Sequence, residues 1–384
     1  MLRKRRHLIV TLLTLLIIIL SSGIAIFIAK GYRFSPQNKI IFGTGILSIA
    51  SVPEQASVYL DGHLTTATNA NINSLEPRVY DVKIIKEGFI PWQKKVEVKQ
   101  GLVSDIKATL FPSIPSVYPL TFTGAEKVTL SDDGLRVAYI VTGEDQTSGR
   151  LKKNGVWVWD MKERAIPFAR GREPHQILSS STLSLDLSNA KLKWSPDSNQ
   201  LLLSLSDTEK GSFDREYLLD ANKLNDDPRD INAIIKPTLS GWDDELKTSK
   251  ISKLHTIKDL NLQKQASDSA VLKWSLDLKK ILFQDSKLKF KVADLIENKT
   301  YDLPDSKGYF WIGDEKDSRY LVLVEDPGKV SVIEYDGGNK AIIYAGLFDL
   351  NSVFPWPDGS RVVILSSVPT PTASVPNLFG INLK

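Results

Sequence analysis

The chain has no cysteine in 384 residues, and only two methionines and four histidines. The missing thiol removes disulfides, thiolate zinc sites, iron–sulfur clusters and cysteine nucleophiles together. The histidines stand at 7, 63, 175 and 255, too far apart in sequence to form a local metal motif. There is no G-x-S-x-G elbow and no glycine-rich phosphate loop of either nucleotide-binding type. Acids cluster at Asp132-Asp133, Asp226-Asp227 and Asp243-Asp244-Glu245, but none has the spacing of a calcium loop. They read as turn residues and solvated loops, and no cofactor is expected. A strong charge of one sign is lacking too. The formal net charge is +4, and its basic excess sits in residues 1–39, where Arg3, Lys4, Arg5, Arg6, Lys30, Arg33 and Lys39 face no acid. The remainder is slightly acidic, which disfavours nucleic acid as a partner on electrostatic grounds.

What is present begins with a long apolar run. Leu8 to Ala29 carries no charge, and as a helix it rises about 33 Å, enough to cross a bilayer's hydrocarbon core. A helix satisfies every backbone N–H and C=O within the segment, as a span must. Arg3 to Arg6 should stay cytoplasmic and place the bulk outside. A cleaved signal peptide is the rival reading. Its apolar region would be shorter, and the best small-x-small candidate here, Ala25-Ile26-Phe27, puts a bulky residue where a small one belongs. The expected order is a cytoplasmic tail over 1–7, an uncleaved transmembrane helix over 8–29 and a basic linker over 30–44.

From residue 45 the pattern changes to period-two alternation. GILSIASV, ASVYL and RVYDVKII read as strands, and Asp61-Gly62 between apolar runs is a hairpin turn. The segments VPEQASVYLDG, LEPRVYDVKIIKEGFIPW and KVEVKQG resemble the PEGA domain, here with Pro53-Glu54-Gln55-Ala56 as the naming tetrad. Asn69 and Arg78 depart from that family's pattern at turns. The resemblance covers 45–111 and implies a small antiparallel β-sandwich, exposed in bacterial and archaeal envelope proteins. Tyr59, Tyr80, Phe89 and Trp92 are expected as core and cross-strand aromatics, and His63 as a solvated residue.

Residues 112–384 repeat a plan: an apolar or aromatic lead, a turn with Asp, a polar pair and a buried strand. Copies occur at 127–140, 192–205, 272–284, 310–324 and 353–365, each followed by a second strand. Anchors at Ser131, Ser195, Ser275, Gly313 and Trp356 give spacings of 64, 80, 38 and 43. The last two match one four-stranded propeller blade. LKWSPDSNQLLL is the clearest copy, and such motifs are similar to the propeller repeats of TolB-type periplasmic proteins. The resemblance implies a β-propeller and leaves five to seven blades open. The polar stretch 225–270 is expected as an exposed insertion, a short helix and a long surface loop.

Six of the eight tryptophans (Trp157, Trp159, Trp194, Trp274, Trp311 and Trp356) fall inside blade motifs and are expected between sheets. Trp242, flanked by acids in the insertion, is the candidate partner contact; a residue pinning the loop to a blade is the alternative. Together these features give an all-β protein behind one membrane helix, with its N-terminus cytoplasmic and its bulk extracytoplasmic. The expected role is a non-enzymatic scaffold of the bacterial envelope that binds a protein or an envelope polysaccharide. A hydrolase or lyase acting on polysaccharide in the propeller channel is the alternative; it needs carboxylates or histidines converging on one face. A sensor transmitting strain through the helix is disfavoured by a cytoplasmic part of only residues 1–7.

Overall fold

The computed structural model describes residues 2–29, 31–35, 40–142, 154–161, 173–182, 186–206, 213–313, 318–368 and 375–384. The chain forms two compact units, Met1–Ser113 and Ile114–Lys384.

The first unit opens with helix α1 (Leu2–Ala29). Its apolar stretch Thr11–Ile28 is long enough to span a membrane and none of it is buried by protein. The next residues are not a plain linker: β1 (Tyr32–Ser35) and β2 (Ile40–Gly43) pair as an antiparallel hairpin. A β-sandwich follows, of β3 (Gly45–Val52), β4 (Ser57–Leu60), β5 (His63–Ala67), β6 (Ala70–Leu75), β7 (Val79–Ile85), β8 (Trp92–Glu97) and β9 (Val103–Thr109). The sheet orders are β6-β3-β9 and β5-β4-β7-β8. Alternation does the folding here. Leu47 and Ile49 of β3 and Tyr80, Val82 and Ile84 of β7 point into one core, with Trp92. Tyr59 and Phe89 are half-buried and His63 is exposed. The expected sandwich is antiparallel except in one place: β3 and β9 run parallel, Ile46 beside Val103. The two departures from the family pattern have local jobs. Arg78 pairs with Asp61 at 2.7 Å and lies 3.8 Å from the Tyr80 ring centroid. The Asn69 side chain accepts the Ser51 N–H at 3.0 Å.

The second unit is a propeller of five four-stranded sheets among the described residues. Strand β10 (Val117–Pro119) comes first in the chain but belongs to the last blade. Blade 1 is β11 (Glu126–Leu130), β12 (Arg136–Val141), β13 (Gly155–Asp160) and β14 (His175–Ser179). Blade 2 is β15 (Lys191–Trp194), β16 (Gln200–Ser206), β17 (Phe213–Asp220) and β18 (Arg229–Asp230). Then come helices α2 (Ile235–Leu254) and α3 (Leu260–Asp268). Blade 3 is β19 (Leu272–Trp274), β20 (Lys280–Gln284), β21 (Phe290–Asp294) and β22 (Lys299–Asp302). Blade 4 is β23 (Gly308–Ile312), β24 (Tyr320–Glu325), β25 (Lys329–Glu334) and β26 (Ala341–Ala345). Blade 5 is β27 (Val353–Pro355), β28 (Arg361–Ser366) and β29 (Asn377–Asn382), completed by β10, which pairs Val117 with Ile381.

Second strands such as β16 and β24 are apolar on both faces because each lies between neighbours. One cluster joins blades 1 and 2, with Ile140 and Val158 against Leu203 and Leu219. Another joins blades 3 and 4, with Val292 against Trp311 and Leu323. Blades 4 and 5 lie side by side at β23 and β27. A further cluster joins blade 5 to blade 1, where Trp356 meets Trp159 edge-on at 5.3 Å.

Blades 2 and 3 are joined differently. Leu202 and Leu218 of blade 2 pack on Ile235, Leu239 and Trp242 of α2. Ile281, Phe283 and Ala293 of blade 3 pack on Leu254, Ile257, Leu262 and Ala266. The helical pair is therefore a wedge in the ring, where a sixth blade would stand. This corrects the expected long surface loop: 225–270 is mostly helical. It remains largely exposed, with Trp242, Leu254, Ile257 and Ala266 buried against the blades while Leu246, Ile251 and Leu260 stay wet.

Candidate functional site

The repeated motif is a turn between the first two strands of a blade. In blades 1 to 3 the Ser131, Ser195 and Ser275 hydroxyls donate to Asp133, Asp197 and Asp277. Each hydroxyl also accepts a backbone N–H five residues on, from Arg136, Gln200 and Lys280. Each carboxylate accepts the N–H two residues on, from Leu135, Asn199 and Lys279. The residue after each Asp has positive φ: Gly134 at 71°, Ser198 at 58° and Leu278 at 56°. Blade 5 keeps the backbone turn, with Trp356 N–H donating to Arg361 O at 2.9 Å and Gly359 at φ 64°. There Trp356 replaces the serine and carries Arg361 4.7 Å from its ring. The motif carboxylates are thus occupied in holding hairpins.

These bonds shift the acids. The Ser195 hydroxyl holds Asp197 below the ordinary carboxylate range. For Asp277, partial burial pushes up, but the Ser275 hydroxyl and Lys279 N–H pull the carboxyl to a net lower value. A lowered folded-state pKa gives stability that is present above the unfolded value near 4 and is lost as pH falls through the folded value. The melting temperature is therefore expected to fall progressively below about pH 4. Ser195→Ala should flatten that fall, because it removes the donor. An unchanged slope in thermal melts from pH 7 to 3 would place the acid sensitivity elsewhere.

Blade tryptophans tie neighbours together. Trp194 Nε1 donates to Thr129 O in blade 1, and Trp311 Nε1 to Lys273 O in blade 3, each at 3.3 Å. Trp274, whose neighbour is the wedge, is half-buried beneath Lys253 at 5.9 Å. Trp157 is also half-buried. Sequence reasoning overlooked three polar links. Arg136 reaches across from blade 1 to Ser198 O at 2.9 Å. Lys273 donates to Tyr309 O at 2.9 Å and sits 4.1 Å from the Phe310 ring centroid; burial lowers its pKa to about 8. Asn377, fully buried, clasps the two ends of the propeller. A basic residue in a strand otherwise leading to Trp was the one available signal, at Lys273.

Trp242 is only 9% exposed. Its ring lies inside the wedge, so the expected partner contact is corrected to the pinning role: a buried indole offers a partner no surface. The acid clusters stay apart. Asp132 is pushed up by partial burial and then by Asp133, with Lys193 pulling the other way. Lys193 also approaches Asp243 at 3.8 Å, linking blade 2 to α2. Asp244 pairs with Lys247 at 3.5 Å on the helix surface.

Asp226 and Asp227 line a hollow of about 370 Å³ at the outer turn of blade 2, beside Asp220, Lys223 and Arg229. Its charges are mixed. Asp220 is held low by the Asn222 N–H and lies 3.7 Å from Lys223. The Asn225 side chain is spent on Ile177 O and Asp220 O. Among the described residues, no three acids or histidines gather to hold a metal. In a four-stranded meander the first and third turns share a face, so this hollow and the Ser–Asp turns lie on the same side of the ring.

The two architectures define the class: a β-propeller protein that carries a PEGA domain behind an apolar helix. Residues 44–114 match the PEGA domain. No curated protein matches the chain. Among solved structures the chain is similar to TolB from Acinetobacter baumannii, at 13% identity over 80% of this chain and 62% of TolB, with a TM-score of 0.23. It thus spans less than two thirds of TolB. It is also similar to the β-propeller domain of the Trilobed protease from Pyrococcus furiosus, at 14% identity over 68% and 70% of the two chains, TM-score 0.21. An oligogalacturonate lyase in complex with manganese matches at 11% identity over 79% and 74%, TM-score 0.23. At such scores these likenesses carry no functional argument. The propeller assignment rests on the five sheets and their shared closing blade.

Proposed function

We propose that this protein is a membrane-anchored scaffold of a cell envelope, held N-in by α1 and presenting the propeller outside the cytoplasm as a binding platform for a protein or an envelope polymer. One observation carries the reading: the conspicuous motif carboxylates and tryptophans are used up inside the fold. The Asp side chains hold turns and the indoles lie between blades or against the wedge. What remains accessible among the described residues is the set of turns that the blades hold at the rim, which suits binding. The basic residues Arg3 to Arg6 ahead of an uncharged span support the orientation.

A reporter fused after Lys384 is expected to be active outside the cytoplasm, and replacing Arg3 to Arg6 with acids should scramble it. Full-length protein incubated with isolated envelopes should retain a protein or polymer without cleaving it. Cleavage of any wall polysaccharide would overturn the scaffold reading in favour of a channel hydrolase or lyase.

A further inference from the structure

The junction between α1 and the sandwich is built rather than loose. Gly31 follows the helix at φ 82°, and its N–H donates to Ile28 O at 3.0 Å. Its carbonyl accepts both the Thr44 N–H at 2.8 Å and the Thr44 hydroxyl at 2.7 Å. The Thr44 carbonyl in turn accepts the Gly101 N–H at 3.0 Å. Two hydrogen-bonded steps therefore connect the end of the helix to the loop that joins β8 to β9.

Several strand ends meet at this pole. β3, β7 and β9 begin here and β6 and β8 end here, since Gly45 pairs with Leu75, Ile46 lies beside Val103 and Val79 pairs with Glu97. Three apolar side chains at this pole are wet: Val79, which opens β7 on the outer face of one sheet, is 52% exposed, and Leu102 and Val103, at the start of β9 in the other sheet, are 56% and 57% exposed. Exposed Val52 and Leu64 elsewhere on the sandwich stand singly, as surface apolar residues commonly do. Arg33, Arg78 and Lys99 stand around these side chains, with Arg78 paired to Asp61 at 2.7 Å, Glu97 3.6 Å from Lys99 and Glu76 exposed beside them. At the helix end, Phe27 and Tyr32 stack at 4.7 Å, where amphipathic rings favour the interface.

Length sets the depth. The uncharged run of α1 rises about 33 Å against about 30 Å of hydrocarbon, so its last turn lies at the start of the headgroup layer. Gly31, Thr44 and Gly101 then fall within that layer. We propose that this pole of the sandwich rests on lipid, with Val79, Leu102 and Val103 seated in the headgroup–acyl boundary and the flanking cations among the phosphates. The occupant is the bilayer that holds the helix. Apolar groups at that depth leave water, and long basic side chains reach back to the headgroups. The sandwich then serves as a foot that fixes the anchor's tilt. The inference rests on α1 remaining as the anchor.

The absence of cysteine makes the test clean. Leu102→Cys, Glu87→Cys at the opposite pole and Ile18→Cys in the helix are each labelled with an environment-sensitive fluorophore. The full chain is placed in phosphatidylcholine–phosphatidylglycerol vesicles carrying spin-labelled lipid, with the label near the headgroup or at mid-chain. Residue 102 is expected to emit to the blue of residue 87, and to be quenched several-fold more by the headgroup-region label. Equal emission and quenching at 102 and 87, with residue 18 quenched at mid-chain, would overturn the seating and leave the anchor standing. Absence of quenching at residue 18 would overturn both.

Discussion

Removing residues 376–384 is expected to unfold the whole propeller, not only its last blade. β29 is an interior strand, bonded to β28 on one side and to β10 on the other. Leu378, Phe379, Ile381 and Leu383 are all buried. At ~1.5–3 kcal/mol each, their loss costs on the order of 6–12 kcal/mol, against a typical total of about 5–15 kcal/mol for a domain. The clasp is specific as well as apolar. Asn377 is fully buried; its Oδ1 accepts the Thr121 hydroxyl at 3.1 Å and the Gly124 N–H at 3.0 Å. Gly380 admits the Tyr118 ring, where a Cβ would come within 3.1 Å. Asn377→Ala leaves two donors without their buried acceptor, and is expected to cost about 2–4 kcal/mol in denaturant unfolding. A truncated chain that melts at the wild-type temperature would show that the ring does not depend on this closure.

Much of this ring is legible in the sequence because its turns repeat. A strand pattern in which an apolar lead precedes Ser-x-Asp can do little except reverse the chain, since hydroxyl and carboxylate are placed to satisfy the backbone locally. A propeller closes on itself, and β10 supplies the outer strand of blade 5 beside β29. Other parts were not legible for physical reasons. The parallel pairing of β3 and β9 depends on a long-range return that alternation cannot report. The hairpin after α1 lies in a basic stretch with no alternation of its own. In the insertion, Ile235, Leu239 and Trp242 stand at i, i+4 and i+7, a helical stripe three residues wide. The rest of α2 is polar, and Pro237 and Gly241 weaken the pattern, so the stripe is hidden by its surroundings. Pro237 is tolerated because it lies in the first turn, where its missing N–H has no intrahelical partner. The candidate site was misread at Trp242 for a related reason. Flanking acids describe the exposed face of a helix and say nothing about the face between them.

That misreading sets up the second large effect. Trp242→Ala is expected to lower propeller stability by about 3–5 kcal/mol, the usual cost of truncating a well-packed aromatic. Leu202, Leu218 and Ile231 on blade 2 would lose the ring that covers them. Trp242→Phe, which keeps most of the apolar area, should cost clearly less. Replacing residues 232–268 with a flexible Gly-Ser stretch should do more damage still. It would bare Leu202 and Leu218 on blade 2, and Ile281, Phe283 and Ala293 on blade 3. Two facing apolar sheets with water between them either draw together and strain the ring or associate with other molecules, so aggregation on expression is the expected outcome. The point variant separates the two roles weighed for this tryptophan. A pin shows as a lower denaturation midpoint with the same captured partners per folded molecule. A partner contact shows as an unchanged midpoint, within about 0.5 kcal/mol as for an ordinary surface substitution, with a partner lost, and that result would reverse the assignment made from its burial.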